Sequence, residues 1–185
     1  MPRWLAKMGG RMDMLNDDEL LAIVDAENRV IGSGARGDIH RRQLRHRSAH
    51  ILLVNTAGNI FVQRRAEHKD CAPGLWDTSA AGHVDFGESY DAAARRELAE
   101  ELAVEGVALK PLWDLPARVA TGNEFARVYL CRTDIEPEPD AAEIADACWY
   151  TRRQLAASIA GDPERYTTVF RDIFTRFNHA ESVDV

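Results

Sequence analysis

The 185 residues, 45% of them hydrophobic, suffice for one domain with a true core but not for two ordinary ones. A net charge of −7 and a pI near 5.4 exclude a general binder of nucleic acid or anionic membrane, so an anionic substrate needs a local basic site or bridging cations. Cys71, Cys131 and Cys148 are odd in number and form no C-x-x-C pair, no apolar run spans a bilayer and the start lacks a signal-peptide core, which together point to free thiols in a reducing cytoplasm.

Residues 1–18 carry two glycines, scattered charge and methionines at 8, 12 and 14, and read as a loosely held tail ahead of a single domain over 19–185. Leu21 to Asp25 predicts a strand, Ala26 to Arg29 a turn and Val30 to Gly32 the returning strand of a short hairpin. Asp38 suits the N-cap of a short helix reaching Leu44, which delivers the basic stretch His40 to Arg47. A solvated basic face is the preferred reading for most of that stretch, with one or two cations left to meet substrate phosphate. The acidic remainder of the chain and the lack of interleaved aromatics argue against nucleic acid.

Ala49 to Val54 predicts a strand, residues 56–59 a turn and Ile60 to Arg65 its partner. Alternation places Ile60, Val62 and Arg64 on one face and Phe61, Gln63 and Arg65 on the other. An arginine ending a central strand suits phosphate, because its fork binds two oxygens together, and suits surface ion pairing equally well. Ala66 to Leu75 has no periodicity and closes on Pro73-Gly74, so it reads as a loop; Trp76 to Val84 then leads into a glycine loop.

After that loop Ser89 is a suitable N-cap, Asp91 suits the positive end of the helix dipole, and no Gly or Pro interrupts 91–104, which predicts a helix. Glu97, Glu100 and Glu101 stand at i, i+3 and i+4 on one stripe, with only Arg96 near enough to relieve their repulsion. Leu98 and Leu102 flank the stripe on one side and Ala92, Ala99 and Ala103 on the other, which predicts packing on both sides. Enclosed carboxylates short of cations are costly, and a divalent metal removes that cost. An ordinary acidic surface helix has the same spacing, and spacing alone leaves the two readings open.

Further on, Leu112 to Ala120 and Glu124 to Cys131 predict a hairpin turned at Thr121-Gly122-Asn123, Pro137-Glu138-Pro139 a loop, and Ala147 to Tyr150 a short strand. Thr151 caps a helix over Arg152 to Ala160 that Gly161-Asp162-Pro163 ends. A last helix from Val169 to Phe177 carries an aromatic core stripe. The order of elements gives an α/β chain.

The stretch Gly82 to Val104 resembles the Nudix box, G-x5-E-x7-R-E-U-x-E-E-x-G-U, with U a bulky aliphatic residue. Gly82, Glu88, Arg96-Glu97-Leu98 and Glu100-Glu101 stand at its spacing and Val104 closes it; Ala103 replaces the final glycine, a residue of the helix end and not a ligand. The resemblance implies a Nudix fold, an α/β/α sandwich around a mixed sheet. It implies a hydrolase that cleaves a diphosphate linkage in a nucleoside diphosphate joined to a further group, a small-molecule substrate, in a protein that can form a homodimer. It also implies Mg²⁺ or Mn²⁺ held by Glu97, Glu100 and Glu101 with a carbonyl near Gly82, while Arg96 orients the acids and Glu88 fixes the loop. Glu100, Glu101 or Glu124 then accepts the proton of the attacking water, and Arg64, Arg65, Lys69 and Trp76 are the expected substrate contacts.

Outside the box, Arg45-His46-Arg47, Asn55, Val62-Gln63-Arg64-Arg65, Lys69-Asp70, Pro73-Gly74, Trp76-Asp77 and Cys148-Trp149-Tyr150-Thr151 resemble the isopentenyl-diphosphate-isomerase-like (YfcD-like) branch of that family, over roughly residues 20 to 178. The branch holds isomerases and hydrolases. The isomerases' catalytic cysteine immediately precedes the box glycine, where this chain has Ala81, and Cys71 lies ten positions earlier on another loop, which disfavours isomerisation. A non-catalytic binding module is disfavoured by the complete set of acids. His83 matches a metal-binding histidine of the isomerases; His46 and Glu124 fall near further ligand positions, with His40 displaced by one residue. In a hydrolase His83 is expected to be a loop residue without catalytic duty. Glu124, at a strand start after a Gly-Asn turn, is a candidate metal ligand or general base.

Overall fold

In the computed structural model, which describes residues 19–180, a hairpin of β1 (Leu20–Val24) and β2 (Val30–Ala35) turns where Asn28 takes a φ of +62°. The tail expected over 1–18 lies outside the described residues. Helix α1 (Arg36–Arg41) follows β2 directly. Ala35, and not Asp38, precedes its first turn, because β2 runs on past Gly32; Asp38 lies inside that turn, where its charge meets the helix dipole.

The main sheet contains β3 (His46–Val54), β4 (Ile60–Arg65), β5 (Trp76–Asp77) and β6 (Ala80–His83). After helix α2 (Tyr90–Leu102) it adds β7 (Leu109–Leu115), β8 (Glu124–Arg132) and β9 (Ile144–Tyr150). Its order is β5-β4-β3-β8-β7, with β6 also on β3 and β9 also on β4; β3 and β8 run parallel and the other pairs antiparallel, so the sheet is mixed. Most of the basic stretch is a solvated face, with Arg41, Arg42 and Arg45 exposed, but β3 begins at His46 and buries that one ring. β7 stops short of the predicted hairpin turn because Pro116 has no N–H for the ladder, and a 3₁₀ turn at Val119–Thr121 makes the connection.

Two apolar layers enclose the sheet. On one face Ala49, Ile51, Leu53 and Phe61 meet Ala93, Ala94, Leu98 and Leu102 of α2. On the other Leu52, Val62 and Val128 meet helices α3 (Arg152–Gly161) and α4 (Thr168–Ala180), whose Leu155, Phe170, Ile173 and Phe177 are buried. The result is an α/β/α sandwich. Ser89 caps α2 by accepting from Ala92 N at 3.2 Å, and Thr151 with Gln154 forms a capping box on α3. α2 packs on one side only: the sheet takes up the Leu98 side, and Ala92 and Ala103 face solvent. No helix among the described residues is long and apolar enough to cross a membrane.

Candidate active site

The site is built on the pairing of β3 with β6 and β8. Ala49 lies opposite Gly82, Ser48 opposite His83 and His50 opposite Ala81, while His46 lies beside Glu124 across the parallel edge. Paired residues share a face and successive residues alternate. Ala49 and Gly82 therefore face α2, whereas His46, Ser48, His50, Ala81, His83 and Glu124 face the other way.

On the α2 face the box acids close over Gly82. A Cβ at residue 82 would stand 2.0 Å from the Glu97 carboxyl, so this close approach needs a glycine. Glu97 and Glu101 are buried, whereas Glu100 is exposed to the cleft. Burial, opposed by Arg96, pushes the Glu97 carboxyl up to about 7, and burial together with the Glu97 charge pushes Glu101 up to about 8. Glu101 Oε2 accepts from Gln63 Nε2 at 2.9 Å and from Ala81 N at 3.1 Å. Arg96 donates to Glu97 at 2.5 Å, to Glu100 at 3.3 Å and to His83 O at 2.9 Å. Its Nε and Nη2 fork onto Glu88 at 3.1 and 3.0 Å, and Glu88 also accepts from Asp85 N at 3.1 Å, tying the glycine loop to the helix.

Across the sheet, His40, His46 and His83 pack with ring centroids 5.0 to 5.1 Å apart. His83 lies on β6 and not in a loop, and His40, one residue out of register in the sequence reading, is brought by α1 to 3.2 Å from His83 Nε2. His46 Nδ1 bonds the Leu44 carbonyl at 2.9 Å, so the ring must donate there, and its buried Nε2 has no hydrogen-bond partner among the described residues. Glu124 Oε1 lies 3.7 Å from His46 Nε2 and 3.9 Å from His83 Nε2. Burial works to raise Glu124, but these histidines outweigh it and hold the carboxyl well below its ordinary range. Burial, then His83 and His46, lower His40 to about 4, so its ring is neutral at pH 7.

Both donor sets fit cations. Oxygen ligands over a backbone that lacks a Cβ suit hard Mg²⁺ or Mn²⁺. Two imidazole nitrogens on one tetrahedral ion stand about 3.3 Å apart, close to the His40–His83 separation, so the histidines with Glu124 suit a transition metal.

A cleft of about 920 Å³ reaches both faces and is lined by Arg65 and Lys69 as well as by the acids. Arg65 Nε bonds Cys71 O at 3.0 Å, and Lys69 pairs with Glu143. Arg64 and Trp76 are not brought into the cleft. Arg64 points to the opposite face of β4 from Arg65 and pairs with Glu67 at 2.8 Å, and Trp76 packs in the core edge-on to Tyr150. The sequence reading missed Ser48, His50 and Cys71 as cleft residues, and Gln63 as the buried partner of Glu101. Alternation from His46 carries the signal for Ser48 and His50, whereas no local pattern marks Cys71, whose Sγ stands 3.6 Å from His40 Nδ1.

The NUDIX domain profile matches residues 44–172. Isopentenyl-diphosphate Delta-isomerase 2 of Photorhabdus laumondii is 32% identical over 168 residues, covering 89% of this chain and 95% of that protein. An uncharacterised Nudix hydrolase of Pseudomonas aeruginosa is 44% identical over 146 residues, covering 76% of this chain and 83% of its own length. The crystal structure of DR0079 from Deinococcus radiodurans superposes with a TM-score of 0.77 at 31% identity, over 85% of this chain and 98% of that one. On these matches and the box geometry, the chain belongs to the Nudix family, as an enzyme acting on pyrophosphate bonds.

Proposed function

We propose that this protein hydrolyses a diphosphate linkage in a small molecule of nucleoside-diphosphate-X type, with Mg²⁺ or Mn²⁺ held by Glu97, Glu100 and Glu101 beside the Gly82 backbone. The observation that carries the reading is a pair of buried carboxylates, Glu97 and Glu101, set over a glycine with Arg96 as the adjacent cation. When bound, such ions neutralise diphosphate oxygens and make a water nucleophilic. Arg96, held by Glu88, orients Glu97 and Glu100, and Gln63 orients Glu101. Arg65 and Lys69, which line the same cleft, bind phosphate oxygens. Glu101 Oε2 is committed to Gln63 and Ala81 and one Glu100 oxygen to Arg96, so the water's proton goes to Glu101 Oε1, to the second oxygen of Glu100 or to Glu124.

The histidine cluster favours one second reading, proton transfer on an isoprenoid diphosphate, with a transition metal on His40, His46, His83 and Glu124. Ala81 opposes it, because a methyl group cannot move a proton. One experiment separates the readings: release of phosphate and nucleotide from nucleoside triphosphates, nucleotide sugars, dinucleotides and isoprenoid diphosphates, with NMR of isopentenyl diphosphate alongside. Metal-dependent release without migration of the double bond is expected. Migration with no release from any compound overturns the hydrolase reading.

A further inference from the structure

His46, Ser48 and His50 alternate along β3 on the face away from α2, and each has a buried side-chain atom without a hydrogen-bond partner among the described residues. Native interiors contain few such atoms, and each carries a desolvation cost that a ligand can remove. His46 belongs to the histidine cluster. His50 stands four residues further along the extended strand, about 13 Å from His46 itself, and is not one of the residues whose ligand atoms converge there on a common cation position. Ser48 and His50 both line the cleft.

Proton accounting fixes what they offer. The arrangement that satisfies every partner has the Thr78 hydroxyl donating to the Ala80 carbonyl at 3.3 Å and His50 Nδ1 donating to Thr78 Oγ1 at 3.0 Å. His50 Nε2 is therefore a bare acceptor, while Ser48 Oγ can both give and take. Opposite His50 on β6 stands Ala81, a side chain with no polar atom to satisfy either group.

We propose that Ser48 and His50 form a subsite for a hydroxyl-bearing group on X, the part of the substrate beyond the diphosphate. His50 Nε2 accepts from a hydroxyl, and Ser48 Oγ completes the pair. A sugar supplies both a donor and an acceptor. A hydrocarbon supplies neither and leaves two buried polar atoms unsatisfied, so isoprenoid diphosphates are the poorer class. The inference rests on the diphosphatase reading for its substrate class, but its test does not depend on turnover.

Two nucleotide sugars, UDP-glucose and ADP-ribose, and isopentenyl diphosphate are titrated with Mg²⁺ into ¹⁵N-labelled Glu101→Gln protein, with binding followed by ³¹P NMR. At least one nucleotide sugar is expected to move the His50 Nε2 resonance upfield, as accepting a hydrogen bond does, and isopentenyl diphosphate is not. In the active protein Ser48→Ala and His50→Phe lower kcat/KM for that sugar about three- to tenfold, one neutral hydrogen bond's worth, with less change for the isoprenoid. Ser48→Ala leaves the melting temperature unlowered, because the hydroxyl it removes had no partner. The proposal is overturned if neither nucleotide sugar moves Nε2, in which case water alone meets these atoms. It is also overturned if Ser48→Ala affects sugar and isoprenoid alike. Absence of hydrolysis of every probe by the wild type sinks the diphosphatase reading, while the titration still decides the subsite.

Discussion

Replacing Glu101 with glutamine separates the charge of this side chain from its packing. Both of its donors, Gln63 Nε2 and Ala81 N, reach the same oxygen, so an amide oxygen in that place keeps both bonds. Burial and the Glu97 charge hold the carboxyl at about 8, against 4.5 for an ordinary glutamate. The metal-free folded state therefore keeps a proton that the unfolded chain gives up above 4.5, and stability falls as pH rises through that window and levels off above 8. A tenfold difference in proton affinity between folded and unfolded chain is worth ~1.4 kcal/mol, so the loss across the window is on the order of a few kcal/mol. Glutamine never ionises and escapes it. With chelator present, Glu101→Gln is expected to melt with the wild type at about pH 5 and several degrees above it at about pH 9. With Mg²⁺ and substrate the order reverses: an uncharged amide is a poor ligand for a hard cation, and kcat falls at least about 100-fold. Melts at the two pH values and a phosphate-release assay read both effects. Equal melting at the higher pH would refute the desolvation argument, and wild-type turnover would refute the metal assignment.

Gly82→Ala places a Cβ 2.0 Å from the Glu97 carboxyl, the movable end of a long side chain, so the fold survives while the ligand swings away. A loss of about 1 kcal/mol in stability is expected beside a loss of more than about tenfold in Mg²⁺ affinity by calorimetry; unchanged affinity would show that Glu97 is no ligand. Ala103 ends α2 with φ +53° and ψ +31°, the left-handed region that costs a non-glycine residue about 1 kcal/mol. Ala103→Gly should raise the melting temperature by about 2 °C, and a fall would refute the strain. Arg65→Ala should raise KM about tenfold or more with a smaller change in kcat, whereas Arg64→Ala, on the far face of β4, should leave both within about twofold. Equal effects in steady-state kinetics would contradict the assignment of faces.

The layered fold was legible because its signals are local. Ser89 caps α2, Thr151 caps α3, and the alternation from Ile60 to Arg65 puts Gln63 and Arg65 on one face, where Gln63 meets Glu101 and Arg65 lines the cleft. What escaped the sequence depends on pairing between distant segments. Nothing near His40 tells that α1 will carry it to His83, 43 positions away, and the apolar β-run looked as if it began at Ala49 because His46 and Ser48 are polar residues buried by β6 and β8. Arg64 suited phosphate as an arginine ending a strand, and surface ion pairing equally well; strand alternation turns it away to pair with Glu67, and the core takes Trp76, which was expected at the substrate. The predicted two-sided packing of α2 treated alanines as apolar contacts, although alanine is equally at home on an exposed helix surface.

One strand pair sets both halves of the cleft. The register that puts Gly82 beneath Glu97 also puts Ala81 and His83 on the opposite face beside His50 and Ser48, so neither half can slip without the other. The two chemistries can nevertheless change independently, because alternate residues of β3 and β6 belong to different faces. In this chain the acid face carries every carboxylate of the box, and the histidine face keeps its ring cluster but has a methyl group at residue 81. The cysteine that does reach the cleft, Cys71, lies ten positions before residue 81 on a different segment and does not take its place. Cys71 lies against His40, and burial together with Asp70 pushes its thiol above the ordinary range. With residue 81 unable to carry a proton, the face that remains equipped for bond cleavage is the one where Glu97 and Glu101 are buried over Gly82, and the orphaned acceptors along β3 are left to recognise what that cleavage releases.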